Sequence, residues 1–278
     1  MPERYFLIGE RVSNSPTPRM MNTAFDALGL DAAYGASEVG SDKLGICYAE
    51  FKTEGVSGLN VTIPHKVSII GLLDSLDQVS RRVGAVNTVK KEGTTFKGYN
   101  TDVDGIFEPL KSRGISKPGR VFVIGTGGAS RAACQAMSEL GCRDLTVLSR
   151  NIEKAAGFVS SMKEALPAMG MEAAHIGGPP PGRPDIVFNA SPMGSNGIPL
   201  HRGIGRLLEA APLVFDAVYF PVETELIRQA KNCGCVAIHG YEMLLYQASR
   251  TFEIWTGRSP PLEPMKASLM QSLGVAAF

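Results

Sequence analysis

Five stretches of this 278-residue chain gather residue types that can do chemistry. "NVTIPHK" (60–66) runs a β-branched stretch into a Pro-His-Lys turn, so Asn60 and Thr62 share one strand face and Lys66 falls just past the strand's carboxyl end. A lysine ammonium can give up a proton or stabilise a developing oxyanion, although a lone lysine at a strand end is ordinarily solvated. "YNTDVDG" (99–105) places Asn100, Thr101, Asp102 and Asp104 at a helix start, where Asp102 also serves as an ordinary N-cap. "GAVNTV" (84–89) adds Asn87, and "SNSPTP" (13–18) offers the hydroxyls of Ser13, Ser15 and Thr17 ahead of a helix N-terminus, a place suited to a carboxylate. Singly, capping or solvation accounts for each; together they lie at strand ends, where α/β proteins bind ligands.

The fifth stretch is the most specific. "VFVIGTGGASRA" (121–132) puts a glycine turn after an apolar strand and before a helix, so backbone N–H groups and the helix N-terminus can face a pyrophosphate. Ser130 stands where the dinucleotide fingerprint has its third glycine or alanine, and Gly125 and Gly127 also suit any tight turn needing φ > 0. The next strand decides between these readings. It ends "VLSRN", with Ser149, Arg150 and, one turn later, Lys154, where an NAD enzyme offers an acidic residue to the ribose hydroxyl. Hydroxyl and cationic donors there match the 2′-phosphate of NADP.

These residues need elements to position them, and the chain alternates short β-rich runs with helical patterns, the sign of α/β layering. Strands are predicted over 5–9, 57–63, 120–125, 144–149, 185–190, 213–218 and 235–240, and a hairpin over 85–91 and 94–100 turns about Glu92-Gly93. Helices are predicted over 17–29 (Thr17 as N-cap, Pro18 in the first turn, Gly29 as stop), 102–113, 128–141, 152–166 and 241–256. "GISKPG" (114–119) reads as a linker after which the rhythm restarts. Lys plus Arg 28 against Asp plus Glu 27 leaves a net charge of +1, so no basic field invites nucleic acid and the partners are small molecules. The charged start MPERYFLIGERV and the lack of a long apolar run read as a cytoplasmic chain without membrane spans. Cys47, Cys134, Cys142, Cys233 and Cys235 show no metal-ligand spacing and read as reduced, mostly buried thiols, with no metal expected.

The set "SPTP", "LNVTIPHK", "GAVNT", "YNTDVDG", "VIGTGGASRA", "NASPMG", "DAVYFP" and "GYEMLLYQA" resembles the shikimate dehydrogenase family, in order and over nearly the whole chain. The resemblance implies an α/β protein of two domains: an N-terminal α/β substrate domain (1–104, with C-terminal helices of 241–278 packing back on it) and a Rossmann-like doubly wound NADP-binding domain (105–240). It implies reduction of 3-dehydroshikimate to shikimate with NADPH. Ser15 and Thr17 would hold the substrate carboxylate, Thr62, Asn87, Tyr219 and Gln247 would contact substrate, and Lys66 with Asp102 would form the catalytic pair. Gly125, Gly127, Gly128 and Ala129 would cradle the cofactor phosphates, Ser149, Arg150 and Lys154 would surround the 2′-phosphate, and Gly240 and Met243 would close near the nicotinamide.

The chain departs from the family pattern at Met21 (the family has His before Asn22), at Ser149 and Asn151 around Arg150, and at Thr17, where biosynthetic members mostly carry serine and relatives accepting quinate can carry threonine. Pro64 is expected in the first turn of a following helix that holds Lys66 in place, and His65 is read as a surface residue, not as the general acid. Alternatives are a quinate or aminoshikimate dehydrogenase of the same family, or a nucleotide-binding regulatory module that has lost the chemistry. Retention of both Lys66 and Asp102 argues against the module. Monomer and homodimer are equally compatible with the sequence.

Overall fold

The computed structural model describes residues 2–195 and 197–275. They divide into two compact units, Met1–Thr101 with Gln247–Phe278, and Asp102–Tyr246. "GISKPG" lies inside the second unit, and the chain changes unit at Thr101/Asp102 and again within its longest helix.

In the first unit the elements run β1 (Glu3–Gly9), α1 (Thr17–Ala27), β2 (Ala32–Glu38), α2 (Leu44–Thr53), β3 (Gly58–Val61), a 3-10 helix (Ser68–Leu72), β4 (Ser75–Leu76), α3 (Gln78–Val83), β5 (Thr88–Glu92) and β6 (Thr95–Tyr99). The sheet order is β2-β1-β3-β5-β6-β4. β1 pairs parallel with β2 and β3, while β5 pairs antiparallel with β3 and β6. The β5–β6 hairpin turns at Gly93, whose φ of 64° a side-chain-bearing residue rarely adopts. β2, α2, α3 and β4 are absent from the sequence-based expectation. "AAYGASE" carries no β-branched residue, and it becomes a strand because β1 offers it seven paired positions.

The second unit contains α4 (Asp102–Lys111), β7 (Arg120–Ile124), α5 (Gly128–Glu139), β8 (Asp144–Ser149), α6 (Ile152–Ala165), β9 (Gly170–His175), β10 (Ile186–Asn189), α7 (Ile204–Leu208), β11 (Leu213–Asp216), α8 (Glu225–Asn232) and β12 (Val236–Ile238). Its sheet order is β12-β11-β10-β7-β8-β9, with every pairing parallel. This is the doubly wound arrangement, and the order of strand addition reverses between β7 and β10, whose strands run parallel. β9, α7 and α8 were not foreseen: β9 begins with glycine, and α7 is only five residues long. α9 (Gly240–Thr256) starts in the second unit and ends in the first, where α10 (Leu262–Ser272) follows it.

α10 packs on α1, with Thr23 Oγ1 donating to Ser268 Oγ at 3.0 Å and Arg19 to Gln271 Oε1 at 2.7 Å. The first core centres on Ile8, Leu59, Ile69, Val86, Val89 and Phe96, and the second on Phe122, Ile124, Leu148, Val187, Val214 and Leu226. No helix among the described residues is long and apolar enough to cross a membrane. Cys134, Cys142 and Cys235 are buried, Cys47 half-buried and Cys233 exposed, all as free thiols.

Trp255, near the end of α9, fixes that helix to the first sheet. Its ring stacks on Tyr5 at 4.3 Å between centroids, and its Nε1–H donates to the Val89 carbonyl at 3.0 Å. Gly58 gives it room: a Cβ there would lie 2.6 Å from Trp255 Nε1 and 2.7 Å from Val89 O. Gly58→Ala should therefore destabilise the protein by about 1–3 kcal/mol through overpacking, read as a lower urea midpoint. A wild-type midpoint would show that the indole moves aside at no cost.

Candidate active site

In the second unit, β7 and β8 set the nucleotide end. Gly125 follows β7 with φ 113°, and its N–H donates to Leu148 O at 3.0 Å. A Cβ on Gly125 would stand 3.2 Å from Ser130 Oγ and 3.4 Å from the Ala190 carbonyl, so conformation and close approach both require glycine. Gly127 caps α5 in an extended conformation, and a Cβ there would meet nothing within 4 Å. The N–H groups opening α5, from Gly128 and Ala129 onward, precede the first intrahelical acceptor and form an anion-binding end. Ser130, the departure from the glycine fingerprint, is fully buried, and its Oγ accepts from Gly127 N at 3.3 Å, so the hydroxyl braces the turn from within.

At the carboxyl end of the adjacent β8, Ser149 Oγ accepts from Asn151 N at 3.1 Å, and Asn151 Oδ1 caps α6 by accepting from Lys154 N at 2.7 Å. Arg150 and Lys154 are exposed, and Glu153 in the same first turn offsets their charge against the helix dipole. The pairing of Ile124 with Leu148 holds the glycine turn and these cations at neighbouring strand ends. The turn has the space, the donors and the cationic neighbours that a dinucleotide phosphate chain needs.

Across the switch point, Asp216 ends β11 with no exposure. Its Oδ1 accepts from Asn189 Nδ2 at 2.9 Å and from Val218 N at 3.1 Å, and its Oδ2 from Thr224 Oγ1 at 2.6 Å. Asn189 also donates to Met193 O and accepts from Ser191 Oγ. This network shapes the segments after β10 and β11, including half-buried Tyr219. Gly240 is pressed onto the same segment: a Cβ would lie 2.5 Å from Val218 C and O. Met243 is buried on the first turn of α9. Asp102 opens α4 and is buried.

In the first unit the hydroxyls of Ser15 and Thr17 lie 3.1 Å apart, and Ser15 Oγ accepts from Thr17 N at 3.3 Å. Thr17 is the first residue of α1 and Pro16 the N-cap, one position earlier than the sequence suggested. Ser13 does not join them. Its Oγ donates to Glu38 at 2.6 Å, and that contact holds the Glu38 carboxyl below its usual range. Thr62 receives a tight contact from Gly9, where a Cβ would overlap Thr62 Cγ2.

Three sequence readings around "NVTIPHK" are corrected here. His65 is buried: its ring Nε2 lies 2.6 Å from the Val39 carbonyl, and its backbone N–H donates to Thr62 O at 2.8 Å. The imidazole pins the turn to the segment after β2, and a satisfied polar ring can be buried at little cost. Pro64 lies in a turn, with the 3-10 helix starting only at Ser68. Asn60 offers nothing to a ligand. It is buried, accepting from Tyr34 Oη at 2.8 Å and donating to Asn87 O at 3.1 Å and Thr88 Oγ1 at 3.0 Å. Half-buried Lys66 follows His65, and its carbonyl accepts from Val86 N at 2.7 Å, one residue before Asn87.

Asn87 is the centre of this unit's polar cluster. Its Nδ2 donates to Thr101 Oγ1 and to Gln247 Oε1, both at 3.0 Å, and its Oδ1 accepts from Thr101 N at 2.7 Å. Thr88 and Thr251 belong to the same cluster, and sequence reasoning missed both, as it missed Asn189 and Asp216. The four-residue spacing of Gln247 and Thr251 on α9 was the available signal. Among the described residues no group of His, Cys, Asp and Glu side chains could hold a metal ion.

The family described as "Shikimate dehydrogenase substrate binding domain" matches residues 7–89, and "Shikimate 5'-dehydrogenase C-terminal domain" matches residues 240–270. The chain is 36% identical to a shikimate dehydrogenase (NADP(+)) of Nitrosopumilus maritimus strain SCM1, over 97% of this chain and 99% of that one. A shikimate dehydrogenase crystal structure in complex with NADP+ superposes with a TM-score of 0.89 at 33% identity, covering 98% of this chain and 96% of its own. Quinate dehydrogenase from Corynebacterium glutamicum in complex with NAD superposes with a TM-score of 0.87 at 28% identity, covering 97% and 99%.

The Asp216 network makes a pH prediction. Burial outweighs the three hydrogen bonds and raises this carboxyl from 3.8 to about 6. A group with a raised folded value contributes stability that is fully present below about pH 4 and is lost as pH rises through 6. The stability of the native protein relative to Asp216→Asn should therefore fall by about 2–3 kcal/mol between pH 4 and pH 7. Urea titrations at several pH values check this, and a pH-independent difference would refute it.

Proposed function

Since the chain belongs to the shikimate dehydrogenase family, we propose that it catalyses the reversible NADP-dependent reduction of 3-dehydroshikimate to shikimate, a step of aromatic amino acid biosynthesis. The observation that carries this reading is the juxtaposition at the ends of β7 and β8. A glycine turn with room for a phosphate lies beside a strand end bearing Arg150 and Lys154, with Ser149 rather than an acid as the last strand residue.

In this reading the second unit is the NADP-binding domain. Gly125, Gly127, Gly128 and Ala129 hold the pyrophosphate, Ser149, Arg150 and Lys154 hold the 2′-phosphate, and Gly240 and Met243 border the nicotinamide. The first unit is the substrate domain. Ser15 and Thr17 bind the carboxylate through their adjoining hydroxyls, while Thr62, Asn87, Gln247 and, from the second unit, Tyr219 bind the ring hydroxyls. When bound, the reduced cofactor supplies the hydride that converts the ketone to an alcohol. Lys66 holds a proton at the carbonyl oxygen and stabilises its growing negative charge, and Asp102 orients that ammonium. The enzyme acts on small molecules in the cytoplasm, without nucleic acid or membrane, as a monomer or homodimer.

A second reading, quinate as substrate, is favoured by Thr17, which carries a methyl group where biosynthetic relatives mostly have serine. Initial rates with shikimate and quinate, each under NADP and NAD, separate the two. Shikimate with NADP should give the highest kcat/KM, and a higher value for quinate would overturn the first reading.

Lys66→Ala should lower kcat by roughly 10²–10⁴-fold with a far smaller change in substrate KM. A kcat within a few fold of wild type would remove Lys66 from the mechanism. Arg150→Ala should cost about 1.5–3 kcal/mol of NADP binding and leave NAD nearly untouched, because the guanidinium contacts only the 2′-phosphate. Equal losses for both cofactors would rule that contact out.

A further inference from the structure

The hydroxyls around Asn87 lie within hydrogen-bond distance of one another and of both atoms of its amide. Thr88 and Thr251 are wholly buried and Thr101 almost so, and each hydroxyl has one hydrogen to give. Asn87 Nδ2 donates to Thr101 Oγ1 at 3.0 Å. Thr101 Oγ1 in turn lies 3.1 Å from Thr251 Oγ1. Thr251 Oγ1 lies 2.9 Å from Thr88 Oγ1, and Thr88 Oγ1 donates to Asn87 Oδ1 at 3.2 Å. These contacts close a ring that begins and ends on the Asn87 amide, and Asn60 Nδ2 donates into it at Thr88 Oγ1, 3.0 Å away.

The Thr101 backbone N–H, which donates to Asn87 Oδ1 at 2.7 Å, sets which side of the amide is oxygen, and the ring of hydroxyls acts with it to hold the amide plane in place. This arrangement also leaves one amide edge facing accessible atoms. The second Nδ2 hydrogen goes to Gln247, which is half-buried, whereas the ring hydroxyls are closed off from solvent.

We propose that Thr251 is a positioning residue for substrate binding: it closes the hydrogen-bond ring that holds the Asn87 amide with its nitrogen edge toward Gln247 and the substrate's ring hydroxyls. This rests on the assignment of Asn87 to the substrate. Thr251 is wholly buried, so it acts through Asn87 and not on a ligand, and Asn60 Nδ2 lies 3.3 Å from its Oγ1.

Thr251→Val keeps the shape and removes both ring bonds, so the KM for shikimate should rise about 3- to 10-fold, the equivalent of one hydrogen bond. The KM for NADP should stay at the wild-type value, and Thr251→Ser, which restores the hydroxyl, should restore the KM for shikimate. A folded Thr251→Val with wild-type KM for shikimate, an equal rise in the KM for NADP, or failure of the serine variant to rescue would each overturn the proposal. Asn87→Ala tests the underlying assignment separately: a raised KM for shikimate supports it, and an unchanged one overturns that assignment together with this inference. Should Thr251→Val fail to fold, hydrogen exchange of the Asn87 side-chain amide in the ¹⁵N-labelled native protein decides. Slow exchange supports the ring, and exchange at the rate of a solvated amide overturns it.

Discussion

The first unit depends on the need to satisfy buried amides. Asn60 and Asn87 are both excluded from water, and an unmatched buried donor or acceptor costs roughly 1–3 kcal/mol. Their partners come from Tyr34 on β2, Thr88 on β5, Thr101 after β6, and Gln247 and Thr251 on α9. Those elements are held in one register because sliding any of them strands a polar group. Hydrophobic packing alone is less exacting about position. Trp255 and Gly58 supply that packing beside the cluster, and the amides set the exact seating of α9 on the sheet.

The second unit meets a different constraint, the close approach of backbones. Gly125 faces Ala190 across the switch point and Gly240 faces Val218, so the loops after β7, β10 and β11 and the start of α9 are in contact through glycine positions. Asp216 braces this region through Asn189 and Thr224. A carboxylate with no exposure is an expensive brace, yet its two oxygens serve three donors on three segments, which no single neutral side chain of that size does. Ser130 shows how a departure from a motif can be neutral: its hydroxyl fills the space near Gly125 and takes up the Gly127 N–H.

The lysine turn of "NVTIPHK" joins these themes. His65 is buried on the Val39 carbonyl, and Lys66 is tied through its own carbonyl to Val86, next to Asn87. The proposed acid and the proposed substrate amide are therefore linked by a backbone hydrogen bond between their two segments. A reactive group performs best when its supporting shell is locked by packing and hydrogen bonds.

By itself the sequence determined the α/β class, the parallel second sheet, the glycine turn, the cationic end of β8 and the family, since these reside in local patterns: apolar runs of strand length, glycines at a strand-to-helix turn, charges at a helix start. Elements with weak local signals, β2 and β9 among them, became strands only because a neighbouring strand had unpaired backbone groups to offer. Tertiary structure alone decided the direction of the polar side chains. His65 turned inward and Asn60 became internal scaffolding, Ser13 was diverted to Glu38, and Thr251, 163 residues from Thr88, entered the Asn87 cluster. A hydroxyl or amide reads the same in sequence whether it faces water or a buried partner, and the partner lies at a distance along the chain that no local pattern records.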